Sequence, residues 1–286
     1  MSADPPEFPA ARAPVAEPPA PTATADAAES GLSRDAFLGD ALLLLQPARG
    51  YRAGIDAVLL AASVSAVEGR ALRVLDAGAG VGTVGLCVAR RLPLTEVRLV
   101  ERQPLLADLA RRNVEANGLG ERVSVIEADL LGRAAELQAL GVAREAFDVV
   151  LANPPYHAEG DGTRSADPIK AGANAMPAEA LDDWCRALAR ACKPGGEAIV
   201  IHKADSLAAL VGAMQRRFGG LDVLPVHPRA GAPAHRIIVR GIKGSRAPLR
   251  LLAGFVLHGH AGHGFTPAAE AILRRGAPMA EWPGSG

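Results

Sequence analysis

Aromatic side chains are nearly missing from this sequence: two Trp, two Tyr and six Phe among 286 residues. Almost half of the residues (49%) are nonetheless hydrophobic, so the core must be built mostly of Ala, Val and Leu. That composition suits aliphatic strands buried under Ala-rich helices. Cysteine is also scarce. Cys87, Cys185 and Cys192 make neither a zinc spacing nor a CxxC pair, a pattern of reducing compartments. Cys185 and Cys192 fall on one predicted helix, share a face and are expected in the core. No apolar run reaches the roughly 18 residues of a membrane span. No basic region followed by an apolar stretch opens the chain, so no secretory signal is expected and the predicted location is cytoplasmic.

Net charge is absent as well, with 31 basic and 31 acidic residues. The balance conceals a gradient. Residues 1–30 hold Asp4, Glu7, Glu17, Asp26 and Glu29 against Arg12 alone, in a Pro- and Ala-rich setting with almost no large apolar residue. Such a segment cannot bury enough surface to offset its ordering entropy, and a disordered tail is expected. The remainder is mildly basic. Arg216, Arg217, Arg229, Arg236, Arg240, Lys243, Arg246 and Arg250 face only Asp222 within residues 216–250. Such a cluster either attracts polyanions or forms a solvated face.

What is present is an alternation of strands and helices from Arg73 onward. Strands are predicted at Arg73–Asp76, Val97–Glu101, Val123–Ile126, Phe147–Leu151 and Ala198–Ile201, near 221–226 and 236–242, and over Leu249–His258. Helices are predicted at Thr83–Leu92, from Leu105 to the Asn117-Gly118 stop, over about 177–192 before Lys193-Pro-Gly-Gly196, around 205–217, and at Thr266–Arg275 with Thr266 as cap and Pro267 in its first turn. Short links between alternating elements argue for an α/β fold, a parallel sheet covered on both faces. The chain divides into the tail (1–30), an N-terminal segment (31–70), a core (71–245) and a C-terminal extension (246–286).

Four pieces carry chemistry. Val74-Leu-Asp-Ala-Gly-Ala-Gly80 is a strand running into a glycine turn, where backbone N–H groups can approach a ligand in front of a helix N-terminus. Ligands of open α/β sheets bind at the carboxyl ends of the strands. Glu101 ends the next strand, about 20 residues on, where an acid can accept from two ribose hydroxyls; it could equally pair with Arg102 or a helix N-terminus. Glu127-Ala-Asp129 follows the third strand, and an acid there can accept from an adenine amino group or simply cap its own turn. Asn153-Pro-Pro-Tyr156 follows the fourth. Its prolines cannot continue a ladder and stiffen the loop. The Asn153 side-chain oxygen and the Pro154 carbonyl become two fixed acceptors for a planar NH₂, and Tyr156 offers a stacking face. His227, His235, His258, His260 and His263 have no acid or Cys at ligand spacing, so a Gly-rich surface loop is expected there and no metal site.

Taken in that order, these motifs resemble the class I S-adenosylmethionine-dependent methyltransferases of the amino-methylating subset. The resemblance implies a Rossmann-like, seven-stranded, mostly parallel sheet with one antiparallel strand and helices on both faces. It implies that Asp76, Gly78 and Gly80 line the methionine part of S-adenosylmethionine, that Glu101 holds the ribose and Asp129 the adenine. Asn153 and Pro154 would grip the target amine, Asn153 with a secondary contact to the cofactor, and Tyr156 would stack on the amine's plane. Arg49-Gly-Tyr-Arg-Ala-Gly-Ile-Asp-Ala-Val-Leu-Leu60 is similar to a segment of the bacterial adenine N6-methyltransferases of valine tRNA that folds over the cofactor, which adds Gly54 and Asp56 to the site. Read without that resemblance, the stretch is an amphipathic helix packing Val58, Leu59 and Leu60. The match spans about residues 35–245.

Three functions follow: adenine N6-methylation in tRNA or another structured RNA, methylation of a glutamine side chain in a protein, and a non-catalytic cofactor-binding scaffold. The basic stretch and the 49–60 segment favour RNA. A glutamine enzyme is expected to carry an N-terminal helical domain, and only about 40 ordered residues are expected before the first predicted strand. The complete motif set argues against a scaffold. The sequence sets no oligomeric state.

Overall fold

A computed structural model of the chain describes residues 31–49, 52–155, 178–259, 264–280 and 282. The tail 1–30, Tyr156, His260 and His263 lie outside the described residues.

Aliphatic runs form a central sheet from β3 (Arg73–Ala77), β4 (Glu96–Glu101), β5 (Val123–Glu127), β6 (Phe147–Ala152), β7 (Cys192–Lys203), β8 (Phe218–Arg229) and β9 (Arg236–Lys243). Their spatial order is β8-β9-β7-β6-β3-β4-β5, and β9 runs antiparallel to both of its neighbours. The chain lays β3, β4 and β5 outward in one direction, then returns to place β6 on the other side of β3. That reversal opens a crevice at the carboxyl ends of β3 and β6.

Among the described residues the sheet has nine strands, two more than the seven expected. Both extra strands come from the stretch 249–258, which the sequence reads as one. β10 (Arg250–Leu251) and β11 (Phe255–His258) pair in parallel with successive parts of β8. The break between them falls at Gly254, whose φ of +99° suits glycine and whose missing Cβ would lie 2.8 Å from the His227 ring.

Helices cover both faces. On one lie α1 (Ile55–Ala62), α2 (Thr83–Arg91), α3 (Pro104–Ala116) and α7 (Pro267–Arg275). On the other lie α4 (Ala134–Ala139), α5 (Ala178–Ala191) and α6 (Leu207–Gln215). Thr266 caps α7 as expected, its hydroxyl accepting from Ala269 N–H at 3.2 Å. α1 is not the amphipathic helix anticipated: Ala57 to Ala62 are all buried, between the sheet and α7. Cys185 and Cys192 do not share a helix face. α5 stops at Ala191 and Cys192 opens β7, although both cysteines are buried. β7 also runs through Lys193-Pro-Gly-Gly196, read above as a stop, by shifting register against β6 between Phe147 and Val149. Among the described residues no helix is long and apolar enough to cross a membrane.

Ahead of the sheet stands a hairpin that periodicity did not reveal, β1 (Leu32–Phe37) and β2 (Leu42–Pro47). Leu42 and Leu44 are wholly buried, each contributing about 1.5–3 kcal/mol. The free edge of β2 is met by two asparagine side chains, Asn113 on α3 and Asn117 at its C-cap. Asn117 accepts from Leu43 N–H at 3.0 Å and donates to Leu43 C=O at 2.9 Å. Asn113 accepts from Leu45 N–H at 2.7 Å and donates to Leu45 C=O at 2.9 Å. Residues i and i+4 of a helix lie about 6 Å apart along its axis, and i and i+2 of a strand about 6.6 Å. The two amides therefore match the repeat of the strand edge and act as a substitute strand. Asn113 also donates to Val81 C=O at 3.0 Å, which joins the hairpin to the turn after β3.

Arg91 closes the same face. Its guanidinium donates to the carbonyls of Ala61 and Val64 at the end of α1 and, at 2.8 Å, to that of Gly276 beyond α7. A cation there complements the negative ends of two helices.

Asn113→Ala leaves the Leu45 N–H and two carbonyls without their buried partner and should cost about 2–4 kcal/mol in urea unfolding. Asn117→Ala, at an exposed contact, should cost under about 1 kcal/mol. Equal losses would show that the substitute strand is not anchored at Asn113.

Candidate active site

The glycine turn leaves β3 at Ala77 with Gly78 and Gly80 at φ +68° and +57°. Hydrogen bonds fasten it to the end of β4. Val100 C=O accepts from both Gly78 N–H (2.8 Å) and Ala79 N–H (2.9 Å). Glu101 accepts from Gly80 N–H at 2.9 Å through one carboxylate oxygen and from Gln103 N–H at 2.8 Å through the other. Glu101 is buried, yet each oxygen keeps acceptor capacity for a further donor. A Cβ at Gly78 would lie 2.7 Å from the six-membered ring of Trp184, so sterics and φ both require glycine there.

Asp76 lies beneath the turn, 1% exposed, and accepts from Gly85 N–H at 2.9 Å in the first turn of α2. Burial pushes its carboxyl up to about 7 against the pull of the Gly85 N–H, and the nearby Glu101 charge pushes the same way. Thr83, at the start of α2, is buried, and its hydroxyl finds no hydrogen-bond partner among the described residues.

Pairing of Ala77 with Ala152 sets the Asn153-Pro154 loop beside the glycine turn. Pro154 is buried and Asn153 half-buried. Asp129, two residues past β5, is exposed, and its carboxylate accepts from its own Leu131 N–H at 2.9 Å. It caps its local turn, next to β4 through the bond from Ala128 N–H to Glu101 C=O. Gly54 is the extended N-cap of α1. Asp56, in the first turn of α1, accepts from Arg236 Nε at 2.7 Å. Arg236 pairs with Lys203 at the carboxyl end of β7, so Asp56 stands on the far side of β6 from Glu101. The structure thus brings Gly78, Gly80, Glu101, Asn153 and Pro154 onto three adjoining strand ends, those of β6, β3 and β4, with Asp129 and Asp56 to either side.

The basic stretch 216–250 is neither an open cationic patch nor a simply solvated face. Arg217 and Arg216 pair with Asp182 at 2.8 and 3.2 Å, and Arg236 pairs with Asp56. Arg240, 7% exposed, shares Asp222 with Arg250 at 2.9 and 2.7 Å, and Lys243 meets Glu145 at 2.9 Å. Except for Asp222, these acids lie outside the stretch, so the local count missed them. The local motifs also gave no notice of Thr83, Trp184 or Arg236 at the carboxyl edge.

Between about pH 4, where an unfolded aspartate ionises, and pH 7, the folded chain holds the extra proton on Asp76, so rising pH lowers stability through that window. His202 acts in the opposite sense. Burial pushes its imidazole down to about 4, so the unfolded chain holds the extra proton from there to about pH 6.5 and rising pH raises stability. Asp76→Asn keeps an acceptor for Gly85 and removes one of these titrations. The melting temperature of the variant, relative to the parent, should climb as pH is raised from about 5 to 8. A difference independent of pH would mean that Asp76 stays ionised throughout.

Comparison with known proteins agrees with this geometry. The family described as Methyltransferase small domain matches residues 55–176. A tRNA1(Val) (adenine(37)-N6)-methyltransferase from Aeromonas hydrophila is 31% identical over 191 residues, 66% of this chain and 75% of that protein. A release factor glutamine methyltransferase from Chlorobaculum tepidum is 38% identical over 88 residues, only 31% of this chain and 29% of that one. A crystal structure from Agrobacterium tumefaciens, described as a predicted O-methyltransferase, superposes with a TM-score of 0.66 at 36% identity, covering 78% of this chain and 98% of that one. With a Rossmann-like sheet, a glycine turn and an acidic strand end in place, the chain belongs to the methyltransferase small-domain family of S-adenosylmethionine-dependent methyltransferases.

Proposed function

We propose that the enzyme methylates the exocyclic N6 of an adenine in tRNA, with Asn153 and Pro154 as the residues that hold the reacting nitrogen. The observation that carries this reading is the adjacency of the Asn-Pro loop and the glycine turn, set by the Ala77–Ala152 pair. Two rigid acceptors select a planar NH₂, which offers two N–H donors, over a hydroxyl, which offers one. This favours transfer to nitrogen, although the Agrobacterium tumefaciens relative is described as a predicted O-methyltransferase. The name of the Aeromonas hydrophila relative supports adenine in tRNA as the substrate.

The residues present fit the donor. Glu101 keeps two lone pairs for ribose hydroxyls, and the buried Thr83 hydroxyl beside the glycine turn is a polar group awaiting a partner. We assign Asp76, Gly78 and Gly80 to the methionine part, Asp129 to the adenine, and Gly54 and Asp56 to the segment covering the donor. S-adenosylmethionine supplies an already activated methyl group, so the protein mainly positions and orients. Asn153 Oδ1 and the Pro154 carbonyl accept the two N–H bonds of the amine, turn its lone pair towards the methyl and stabilise the positive charge that develops on nitrogen. Tyr156 stacks on the base, which must be splayed out of its loop to reach the pocket. No strong general base is needed, because the alkylated nitrogen is acidic and loses its proton to water. Three free, buried cysteines suit a reducing cytoplasm.

A glutamine side-chain amide presents the same planar NH₂ and is the second reading. It gains from the neutralised basic stretch and from the Chlorobaculum tepidum relative. Incubation with tritiated S-adenosylmethionine and either total cellular RNA or total protein separates the two. Label should enter the tRNA fraction; label confined to protein would select the glutamine reading, and none in either would overturn both.

In single-turnover methylation at saturating donor, Asn153→Ala should lower the rate by about 10²–10³-fold, the usual cost of one preorganised electrostatic contact. Its donor affinity should stay near that of the parent. A wild-type rate would make the loop merely structural.

A further inference from the structure

The chain has two tryptophans, and they are placed differently. Trp282 is 2% exposed near the end of the chain, with the Arg240 guanidinium 4.9 Å over its ring. Trp184 is half-buried on α5. Leu181, Cys185 and Leu188, at three before, one after and four after it, are all buried. Trp184 thus belongs to the core-facing stripe of the helix but keeps part of its ring open. β7 follows α5 directly and starts level with Phe147 at the amino end of β6. α5 therefore runs from the carboxyl edge of the sheet towards the amino edge, and its second turn, with Trp184, lies near the carboxyl edge. The outer edge of the six-membered ring meets Gly78, with Cη2, Cζ3 and Cζ2 at 2.7, 3.5 and 3.6 Å from where a Cβ would stand. Gly78 follows Ala77, whose neighbour Ala152 precedes Asn153. The outer edge of the ring therefore adjoins the seam from which both functional loops leave the sheet.

We propose that Trp184 is a donor-binding residue whose indole forms the α5-side wall of the subsite for the methionine and sulfonium end of S-adenosylmethionine. The proposal rests on the reading that the glycine turn holds the donor. An electron-rich indole beside a sulfonium attracts its positive charge, and more strongly in a site shielded from water. S-adenosylhomocysteine has the same shape without that charge, so the ring should favour the donor over the spent product. In an aromatic-poor chain, one large ring placed against the glycine turn gives the subsite a π face that Ala, Val and Leu cannot supply.

The test pairs calorimetry with tryptophan emission. The parent and Trp184→Phe are titrated with S-adenosylmethionine and S-adenosylhomocysteine, and folding of each variant is checked by its melting curve. The parent's emission should change saturably with the calorimetric midpoint. The change should vanish in Trp184→Phe, whose remaining indole is buried against Arg240, while affinity stays within about threefold because a ring face remains. Trp184→Leu should weaken the sulfonium ligand by about 3- to 30-fold, and the neutral product less. Donor binding without an emission change, or equal weakening of both ligands by Trp184→Leu, would overturn the proposal. Failure of the parent to bind donor at all would instead bring down the donor-site reading, and this proposal with it.

Discussion

A glycine turn at the end of a strand has left the sheet ladder and must find other partners for its N–H groups. Here the last two residues of β4 provide them. The Val100 carbonyl takes two N–H groups and the Glu101 carboxylate a third. The turn that would hold the donor and the acid that would hold its ribose are thus one hydrogen-bonded unit, with its shape set before any ligand arrives. Asp76 below adds a buried carboxyl that holds α2 through Gly85 and sits near enough to Glu101 for the Glu101 charge to oppose its ionisation.

The rest of the N-terminal half supports this unit. Asn113 bonds on one side to β2 and on the other to the Val81 carbonyl within the turn. A side chain from the later half of α3 thereby couples the hairpin to the glycine turn. The match between a helical i, i+4 step and a strand i, i+2 step makes the joint possible, and the burial of Asn113 makes it stiff.

The legible parts of the site were those whose physics is local. A strand, a glycine turn and a helix in immediate succession declare themselves, as does a double proline after an apolar run. Asn153 and Gly80 could therefore each be placed at the carboxyl end of a strand from spacing alone, while the pairing that makes those strands neighbours could not. The hairpin was not legible, because half of its edge pairing comes from side chains 68 and 74 positions away. The basic stretch misled because Arg217 and Arg236 meet acids 35 and 180 positions distant. Pro194 and the two glycines after it looked like a terminator because turn chemistry cannot foresee a register shift that lets β7 continue. Leu249–His258 was read correctly as extended, but a left-handed glycine divides it.

Arg91 has a consequence for how the chain is made. Its guanidinium bridges the end of α1 and the carbonyl of Gly276, and burial makes its charged form harder to hold. The tip of the hairpin closes on the same place: a Cβ at Gly39 would stand 2.5 Å from the Arg274 carbonyl oxygen, and one at Gly276 in contact with Leu38. During synthesis from the N-terminus, the hairpin, α1 and α2 emerge long before the helix that completes their shared corner. Until residues 274–276 leave the ribosome, the nascent chain carries a cation short of one acceptor and an apolar face without its cover. The corner can be finished only after those residues emerge, so the closing of the N-terminal half waits on a carbonyl 185 positions beyond Arg91.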